Sequence, residues 1–251
     1  MVVGAQDVGD VMTSPDLGAT MNSRTLARRS RGAGVPPVWT SVLAVIAHPD
    51  DPSSGLCAIL DAFILAGARV EVLCLTHGQA WTLDEAPGDL ATLRGAELAS
   101  AADVLGAVRV GMRNFPDGAL REACQSRLAA EVVAAADSCH PDGLVVFNAL
   151  PVTGHLDHVA ATSAGLRAAQ TLDLPVLGWT LSQTAAARLS QDFGARASGH
   201  RDEQIDLRVA VDRARQRLAS RSDAGAALPG SPRRRGLELL AETASLRWLR
   251  A

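Results

Sequence analysis

One stretch decides the interpretation of this 251-residue chain, namely Val42-Leu-Ala-Val-Ile-Ala-His48-Pro-Asp50-Asp51-Pro52. Its apolar, β-branched run ends abruptly in a histidine and two aspartates, a pattern typical of a buried strand followed by a polar turn. In open α/β sheets, ligands bind at the carboxyl ends of the strands. Histidine and carboxylate side chains are also common metal ligands. The stretch therefore predicts one part of a metal or ligand site, whose other members must come from elsewhere.

The composition is that of an ordinary globular protein, with 47% hydrophobic and 20% charged residues. The net charge of −3 gives no reason to expect nucleic acid or an anionic membrane as a partner. The apolar runs are too short to predict a membrane span. All 24 basic residues are arginine and tyrosine is absent. This excludes a Schiff-base lysine, a P-loop lysine and a tyrosine acid or base.

The four cysteines, Cys57, Cys74, Cys124 and Cys139, have no CxxC spacing. Three of them lie in apolar or helical stretches, which favours buried thiols over disulfides or zinc ligands. We therefore predict a cytoplasmic protein. Residues 1–38 have no persistent helical or strand period and are predicted to be a disordered tail. No apolar core follows their arginines, so a secretory signal is not expected.

From residue 39 to residue 251 the pattern predicts one domain in which strands alternate with helices. Such alternation indicates an α/β fold: a Rossmann-like three-layer sandwich with a mainly parallel sheet. With the common order 3-2-1-4-5, the site lies at the carboxyl ends of neighbouring strands 1 and 4. The predicted strands are 42–47, 69–75, 107–112, 144–148 and 175–181, and the predicted helices are 53–66, 91–105, 120–138 and 157–171. The less regular remainder suggests a strand at 205–211 and helices at 212–220 and 233–250.

A second polar motif, Gly154-His155-Leu-Asp157-His158, follows predicted strand 4. Together with the first motif it could supply three metal ligands, His48, Asp51 and His158, and leave a fourth position for water, as in catalytic zinc sites. Asp50 would then accept a proton from that water. His155, with Asp157 orienting its ring, would stabilise an oxyanion or protonate a leaving group.

In their order and spacing, these two motifs resemble those of the LmbE-like/PIG-L family of zinc-dependent N-deacetylases, over about residues 40–250. That family removes acetyl or related acyl groups from amino sugars and glycoconjugates, including glucosaminyl inositols, thiol-precursor glycosides and antibiotic intermediates. Further stretches that match are Leu75-Thr76-x-Gly78, Arg94-x-x-Glu97, Asp117-Gly118-x-Leu120 and Leu246-Arg-Trp-Leu249.

The resemblance implies an enzyme that holds one Zn²⁺ per chain, or another divalent metal, and acts on a small-molecule amino sugar or glycoconjugate. It implies the same metal ligands, with Asp50 as general base and with His155, oriented by Asp157, assisting the tetrahedral intermediate. Arg94 and Asp117 correspond to positions that bind polar substrate groups or the loops of the site. A homo-oligomer is left open.

Two positions depart from the family pattern. Pro52 stands where the family usually has glutamate, and Gly78-Gln79 replaces the usual Gly-Glu. Both changes bear on the substrate and the rate more than on metal binding. Two other functions therefore stay open: an amidase of thiol conjugates in the same family, and a catalytically impaired metal-binding homologue.

Each site residue also has a plainer structural interpretation. Asp51-Pro52 is a common helix start, and Asp157 could simply cap a helix. Asp50 could be a solvated turn residue, and His155 and His158 ordinary polar residues. The repeat His140-Pro-Asp142 precedes strand 4, at the opposite edge of the sheet, and is predicted to be a loop.

Four other features fall outside the two motifs. His77 is predicted to be a loop residue that could line the cleft, and His200 is predicted to be exposed. Trp81 could stack on a sugar, while Arg233–Arg235 are expected on a solvated face. The loops at about 76–90, 113–118 and 182–204 are expected to set the substrate.

Overall fold

The computed structural model describes residues 35–54, 56–80, 90–106, 109–148, 155–193, 197–219 and 243–251. Most of the predicted tail, Trp81, Gly154 and Arg233–Arg235 lie outside the described residues.

A seven-stranded sheet forms the centre of the fold, in the order β3-β2-β1-β4-β5-β7-β6. The first five strands are parallel to one another, whereas β7 is antiparallel to both of its neighbours. The predicted order of the first five strands is thereby confirmed. The strands are β1 (Ser41–Ile46), β2 (Arg69–Thr76), β3 (Arg109–Phe115), β4 (Gly143–Phe147), β5 (Val176–Thr180), β6 (Leu207–Ala210) and β7 (Thr243–Arg250).

Helices cover both faces of the sheet and complete the predicted three layers. Each residue of β1 is buried because successive side chains enter opposite cores: Val42 and Ala44 join one cluster, Leu43 and Val45 the other. The helices are α1 (Asp51–Ser54), α2 (Cys57–Leu65), α3 (Leu90–Leu105), α4 (Gln125–Cys139), α5 (Leu156–Leu172), α6 (Gln183–Phe193) and α7 (Arg213–Ala219), with 3₁₀ turns at Leu120–Glu122 and Asp202–Gln204. Among the described residues, no helix has the length and apolarity needed to cross a membrane.

The prediction of a last helix at 233–250 is wrong for residues 243–250, which form β7. This strand lies between β5 and β6 and packs on both faces, so its apolar residues do not alternate strictly. Leu246 and Trp248 pack on one core and Leu249 on the other. The resulting three-residue spacing resembles a helical period.

Several element boundaries also differ from the predictions. The predicted helix 53–66 is two helices, α1 and α2, and the predicted helix 120–138 begins as α4 only at Gln125. Strand β3 continues into the predicted loop 113–118. The predicted loop 182–204 contains α6. Amphipathic periodicity in that short polar stretch was the signal that could have revealed it.

Close packing of α5 on β4 depends on a glycine. A Cβ built on Gly165 would lie 2.9 Å from Cγ1 of Val146 in β4. Real Cβ atoms essentially never approach so closely, and a valine in a strand has little rotamer freedom with which to yield. Gly165 therefore sets how near α5 lies to the sheet, and with it the position of the first turn of α5.

We expect Gly165→Ala to destabilise the protein by about 1–3 kcal/mol through overpacking. Gly95→Ala is a matched control, because Gly95 also lies in a helix and its Cβ would only reach ordinary contact with Met112, at 3.5 Å. That substitution should stabilise the helix by roughly 0.5–1 kcal/mol. Urea unfolding of the two variants and the parent measures both changes. Equal effects of the two substitutions would contradict the close-packing argument.

Candidate metal centre

The turn after β1 is closed by the side chain of Asp51. Its Oδ2 accepts hydrogen bonds from the backbone N–H groups of Ala47 (3.0 Å) and His48 (2.9 Å). The backbone N–H of Asp51 donates to the carbonyl of His48 (3.2 Å). These three hydrogen bonds stabilise the turn. Pro52 lies in the first turn of α1, where the backbone N–H groups have no partner within the helix, so its missing N–H costs no hydrogen bond.

The other oxygen of Asp51 faces the second motif. Its Oδ1 lies 3.0 Å from Nε2 of His158, in the first turn of α5. The ring of Phe147, at the end of β4, stacks on the His158 ring with centroids 3.9 Å apart. The two motifs therefore meet where the sequence predicted, at the carboxyl ends of β1 and β4.

His48 has carboxylates at both ring nitrogens. Nδ1 lies 3.9 Å from Oδ1 of Asp51. Nε2 lies 3.1 Å from Oδ1 of Asp117 and 3.3 Å from Oδ2 of Asp157. Burial lowers the pKa of His48, but the contacts with Asp117, Asp157 and Asp51 outweigh it and raise the pKa to about 12. This cluster therefore favours a positive charge, which a divalent cation would supply.

Asp51 is held in its ionised form. Burial alone would raise the pKa of its carboxyl group, but the charges and hydrogen bonds of His158 and His48 hold that pKa well below its usual range. Ionised carboxylates and neutral imidazoles are the forms that bind metals. A cation would thus compete with the proton that His48 carries here.

The donor set fits a divalent metal. The ligand atoms of His48, Asp51 and His158 all lie within 4.8 Å of one another. Ligands of tetrahedral zinc, at about 2.0–2.1 Å from the ion, are separated by about 3.3 Å, so small movements would complete the site. Two imidazoles and one carboxylate suit zinc better than magnesium or calcium, which prefer oxygen ligands.

Ligand atoms within 4.8 Å of one another also occur in a second group of side chains: His48, His155 and Asp157. The carboxylate of Asp157, however, already accepts backbone hydrogen bonds from Gly118 to Oδ2 (2.7 Å) and from Leu120 to Oδ1 (3.0 Å). Burial raises the pKa of Asp157, but the hydrogen bond with His48 and these two backbone bonds outweigh it and lower the pKa. The first group therefore suits a metal better.

Asp157 has more partners than the one that the sequence predicted. Its backbone contacts the predicted partner, the ring of His155, while its carboxylate binds Nε2 of His48 and the turn at 118–120. His155 is the N-cap of α5, and its Nδ1 accepts a hydrogen bond from the backbone N–H of Asp157 (3.3 Å). An accepting Nδ1 places the proton of a neutral imidazole on Nε2. Burial, followed by the charges of His48 and His158, lowers the pKa of His155, which favours this neutral form.

Asp50 and Asp117 are the two remaining carboxylates predicted for the site. Asp50 is half-buried, in the turn directly after Pro49. Asp117 contacts His48, and its Oδ2 accepts a hydrogen bond from the backbone N–H of Ala80 (2.7 Å). Burial raises the pKa of Asp117, but the hydrogen bonds from His48 and Ala80 outweigh this and lower it.

Arg94, the other predicted substrate-binding residue, is only 2% exposed. Its Nη1 donates to Oε2 of Glu97 (2.6 Å), one turn along α3. It packs near Gly78, whose positive φ of 67° and close approach to Pro49 bring the turn after β2 against the HPDD turn. Arg94 is therefore buried against the turn after β2, which in turn contacts the HPDD turn.

The other histidines have structural surroundings. His140 ends α4 in the left-handed conformation, and Asp142 accepts hydrogen bonds from Thr40 and Ser41 at the start of β1, so the repeated HPD is a loop at the opposite edge. His77 contacts Asn114 (2.5 Å). The prediction that His200 is exposed is wrong, because it is 5% exposed.

His200 belongs to a buried polar network that the sequence did not reveal. Its Nδ1 lies 2.8 Å from Oγ1 of Thr180, and its Nε2 lies 2.6 Å from Nη1 of Arg247. The amide of Asn148 donates to Thr180 (3.2 Å). Burial, followed by the charge of Arg247, lowers the pKa of His200. Its members come from the residue after β4, from β5 and β7, and from a loop, so no local sequence pattern could link them.

The family described as "PIG-L: GlcNAc-PI de-N-acetylase" matches residues 43–169 of this chain. Among solved structures, the A40926 pseudoaglycone deacetylase Dbv21 is similar with 20% identity and a TM-score of 0.60, covering 83% of this chain and 96% of that one. The N,N'-diacetylchitobiose deacetylase from Pyrococcus horikoshii is similar with 18% identity and a TM-score of 0.62, covering 84% of each chain.

A third similar structure has a different chemistry. The 4-carboxy-2-hydroxymuconate hydratase GalB from Pseudomonas putida has 14% identity and a TM-score of 0.61, covering 84% of this chain and 97% of that one. A shared fold does not by itself determine the reaction. For this chain, the reaction is indicated by the family match and by the side chains at the site.

The carboxylates of Asp117 and Asp157 contact Nε2 of His48 and so fix the orientation of its ring. Partners of a metal-binding histidine typically contribute 10- to 100-fold in metal affinity, because they fix the ring orientation. We expect Asp117→Asn to weaken zinc binding by about this factor while leaving the thermal midpoint of unfolding near that of the parent. Competition with a chromogenic chelator measures the affinity. Asp173→Asn, which removes an exposed carboxylate in a left-handed C-cap, is the control and should bind zinc as the parent does. Unchanged affinity in Asp117→Asn would contradict an orienting role.

Proposed function

Because the chain belongs to the PIG-L family of de-N-acetylases and is a hydrolytic N-deacetylase, we propose that it removes an acetyl or related acyl group from the amine of an amino sugar or glycoconjugate. We propose that His48, Asp51 and His158 hold the metal, Zn²⁺ or another divalent ion. The observation that carries this proposal is the convergence of these three side chains across β1 and β4. The four cysteines are free thiols, which fits the predicted cytoplasmic location.

The proposed chemistry is metal-assisted amide hydrolysis. A bound divalent metal would polarise the amide carbonyl and lower the pKa of a water molecule from roughly 16 toward about 7. Asp50 follows the candidate ligand His48 by two positions and is half-buried, so water can reach its carboxylate. We assign it the role of general base that takes the proton of the attacking water.

His155 is the proposed oxyanion donor. Its ring lies 4.6 Å from the ring of His48, measured between centroids, so it borders the candidate metal ligands. Because Nδ1 accepts from the Asp157 backbone, the proton of a neutral His155 ring is on Nε2, which makes Nε2 the donor atom of this side chain. That N–H would donate to the carbonyl oxygen as negative charge develops there. When the C–N bond breaks, protonated Asp50 would return its proton to the departing amine, and the acid is the second product.

Asp157 and Asp117 complete the proposal as positioning residues. Their carboxylates hold Nε2 of His48, which leaves Nδ1 directed toward Asp51. Asp157 also ties the turn at Gly118 and Leu120 to the start of α5. A substrate-binding role for Asp117 and Arg94 remains part of the proposal, with Arg94 acting through the loops that it supports.

Asp50→Asn should lower the rate of amine release from N-acetylglucosaminyl compounds by about 10²–10⁴-fold, because the general base is lost. The variant should still bind one zinc per chain, whereas His48→Ala should bind none. Amine-reactive fluorescence measures release, and metal analysis after gel filtration measures zinc. His140→Asn alters the repeated HPD at the opposite edge and keeps a residue suited to the left-handed conformation, so it should retain both properties.

The panel of acylated substrates should also include amides of thiol conjugates. Cleavage of those alone would favour the amidase alternative. Stoichiometric zinc without cleavage of any substrate would favour an impaired homologue and contradict the proposal. Full activity in Asp50→Asn would remove Asp50 from the mechanism.

A further inference from the structure

The candidate ligand His158 stacks on a buried phenylalanine. The rings of His158 and Phe147 are nearly parallel, with 7° between their planes and 3.9 Å between their centroids. Phe147 is 2% exposed and His158 is 7% exposed. The rings of His48 and His155 are also neighbours of His158, but both are tilted and their centroids lie 5.2 Å away. Phe147 therefore covers one face of the His158 ring.

Phe147 is held in place by the sheet and by α5. It is the last residue of β4, in register with Trp179 of β5, and the two rings meet edge to face with centroids 5.2 Å apart. Its carbonyl oxygen accepts a hydrogen bond from the hydroxyl of Thr162 in α5 (2.9 Å). Thr162 lies one helical turn after His158, so both side chains are on the same face of α5. The helix that carries the candidate ligand is thus fixed to the residue on which the ligand stacks.

This stacked geometry is not the one that two neutral aromatic rings prefer. Such pairs favour offset or edge-to-face arrangements with centroids about 4.5–7 Å apart, because the faces of both rings are negative. A positively charged group is instead attracted to the face of a phenylalanine when it lies within about 6 Å of the ring centroid. A metal ion bound to an imidazole nitrogen withdraws electron density from that ring. The face of Phe147 therefore suits His158 better with a bound cation than without one.

The edge of the His158 ring has a partner of the same sign. Its Nε2 lies 3.0 Å from Oδ1 of Asp51, a carboxylate that is 4% exposed. Negative potential thus reaches the imidazole from the carboxylate at its edge and from the phenyl ring at its face. Because the ring is buried, a positive charge on it needs such partners.

We propose that Phe147 is a positioning residue of the metal centre, and that the negative face of its ring increases the affinity of the site for a divalent cation through His158. The inference rests on the proposed function, in which His158 is a metal ligand. A role in packing alone depends on the size and shape of the Phe147 ring. The proposed role depends in addition on the electron density at the face of that ring.

Fluorination of the ring separates these two roles, because fluorine withdraws electrons from the ring face and changes the size of the ring little. Difluoro- and trifluorophenylalanine, incorporated at position 147 alone, should weaken Zn²⁺ binding in that order, by roughly 3- to 30-fold for the trifluoro ring. Competition with a chromogenic chelator measures the affinity. The titration is carried out at about pH 8.5, because a proton on the imidazole would gain from the same contact and so mask part of the effect.

Phe63 provides the matched control. It is also fully buried, and its ring stacks on that of Trp39 with the same 7° between the planes. Trifluorophenylalanine at position 63 should leave the affinity for Zn²⁺ at the value of the parent. The metal-free proteins fluorinated at position 147 should unfold at the same thermal midpoint as the parent, since the shape of the ring is kept.

Phe147→Leu removes the ring and tests its effect on the geometry of the site. This variant should lose at least as much affinity for Zn²⁺ as the trifluoro protein. In addition, the visible absorption bands of bound Co²⁺, which depend on the arrangement of the ligands, should shift because the imidazole has lost the ring on which it stacks.

The outcomes distinguish this inference from the proposed function. A loss of affinity that grows with fluorination at position 147 and is absent at position 63 would support the role of Phe147. Equal affinity throughout the fluorinated series, or the same loss at both positions, would reduce Phe147 to packing and reject the inference, while the metal site itself stands. A parent that binds no zinc, or a His158→Ala variant that binds zinc as tightly as the parent, would instead contradict the metal ligand on which the proposed function rests.

Discussion

The carboxylate of Asp51 is the constraint on which the site depends. One oxygen closes the turn at the end of β1 through two backbone N–H groups, and the other faces His158 across the sheet. The same side chain therefore fixes the local backbone and joins segments that are 107 positions apart. Because it is buried, its negative charge needs partners, and both histidines that surround it are candidate metal ligands. The structural and chemical interpretations of the Asp51-Pro52 turn are thus compatible.

A second set of carboxylates is arranged around His48. Asp117 comes from the segment after β3 and Asp157 from the start of α5, and both reach the same ring nitrogen. Each carboxylate is held by backbone N–H groups of another loop. The orientation of one imidazole consequently depends on three loops at the carboxyl edge. Changes in those loops, including the family departure at Gln79, whose side chain accepts a hydrogen bond from the backbone N–H of His77, can influence the site without replacing any candidate ligand.

Much of this arrangement could be predicted from the sequence. The buried strand β1, the order of the first five strands and the meeting of the two motifs follow from apolar runs and from the topology of parallel sheets. The β7 strand could not be predicted, because a strand covered on both faces has no period of two. The contact of Asp157 with His48 was also hidden, since it joins two segments that are 109 positions apart. The burial of His200 depends on Arg247 and Thr180, which are distant in sequence.

The position of β7 also bears on how the chain folds as it is synthesised. Among the described strands, β6 pairs only with β7, which follows it in the sequence. Until β7 emerges from the ribosome, β6 cannot join the sheet and β5 presents an unpaired edge. Such edges are where nascent chains associate wrongly. The parallel half of the sheet, which carries both motifs, can form first, and β6 joins it only when β7 inserts. The residues of the candidate metal centre would then be assembled before the antiparallel edge of the sheet is complete.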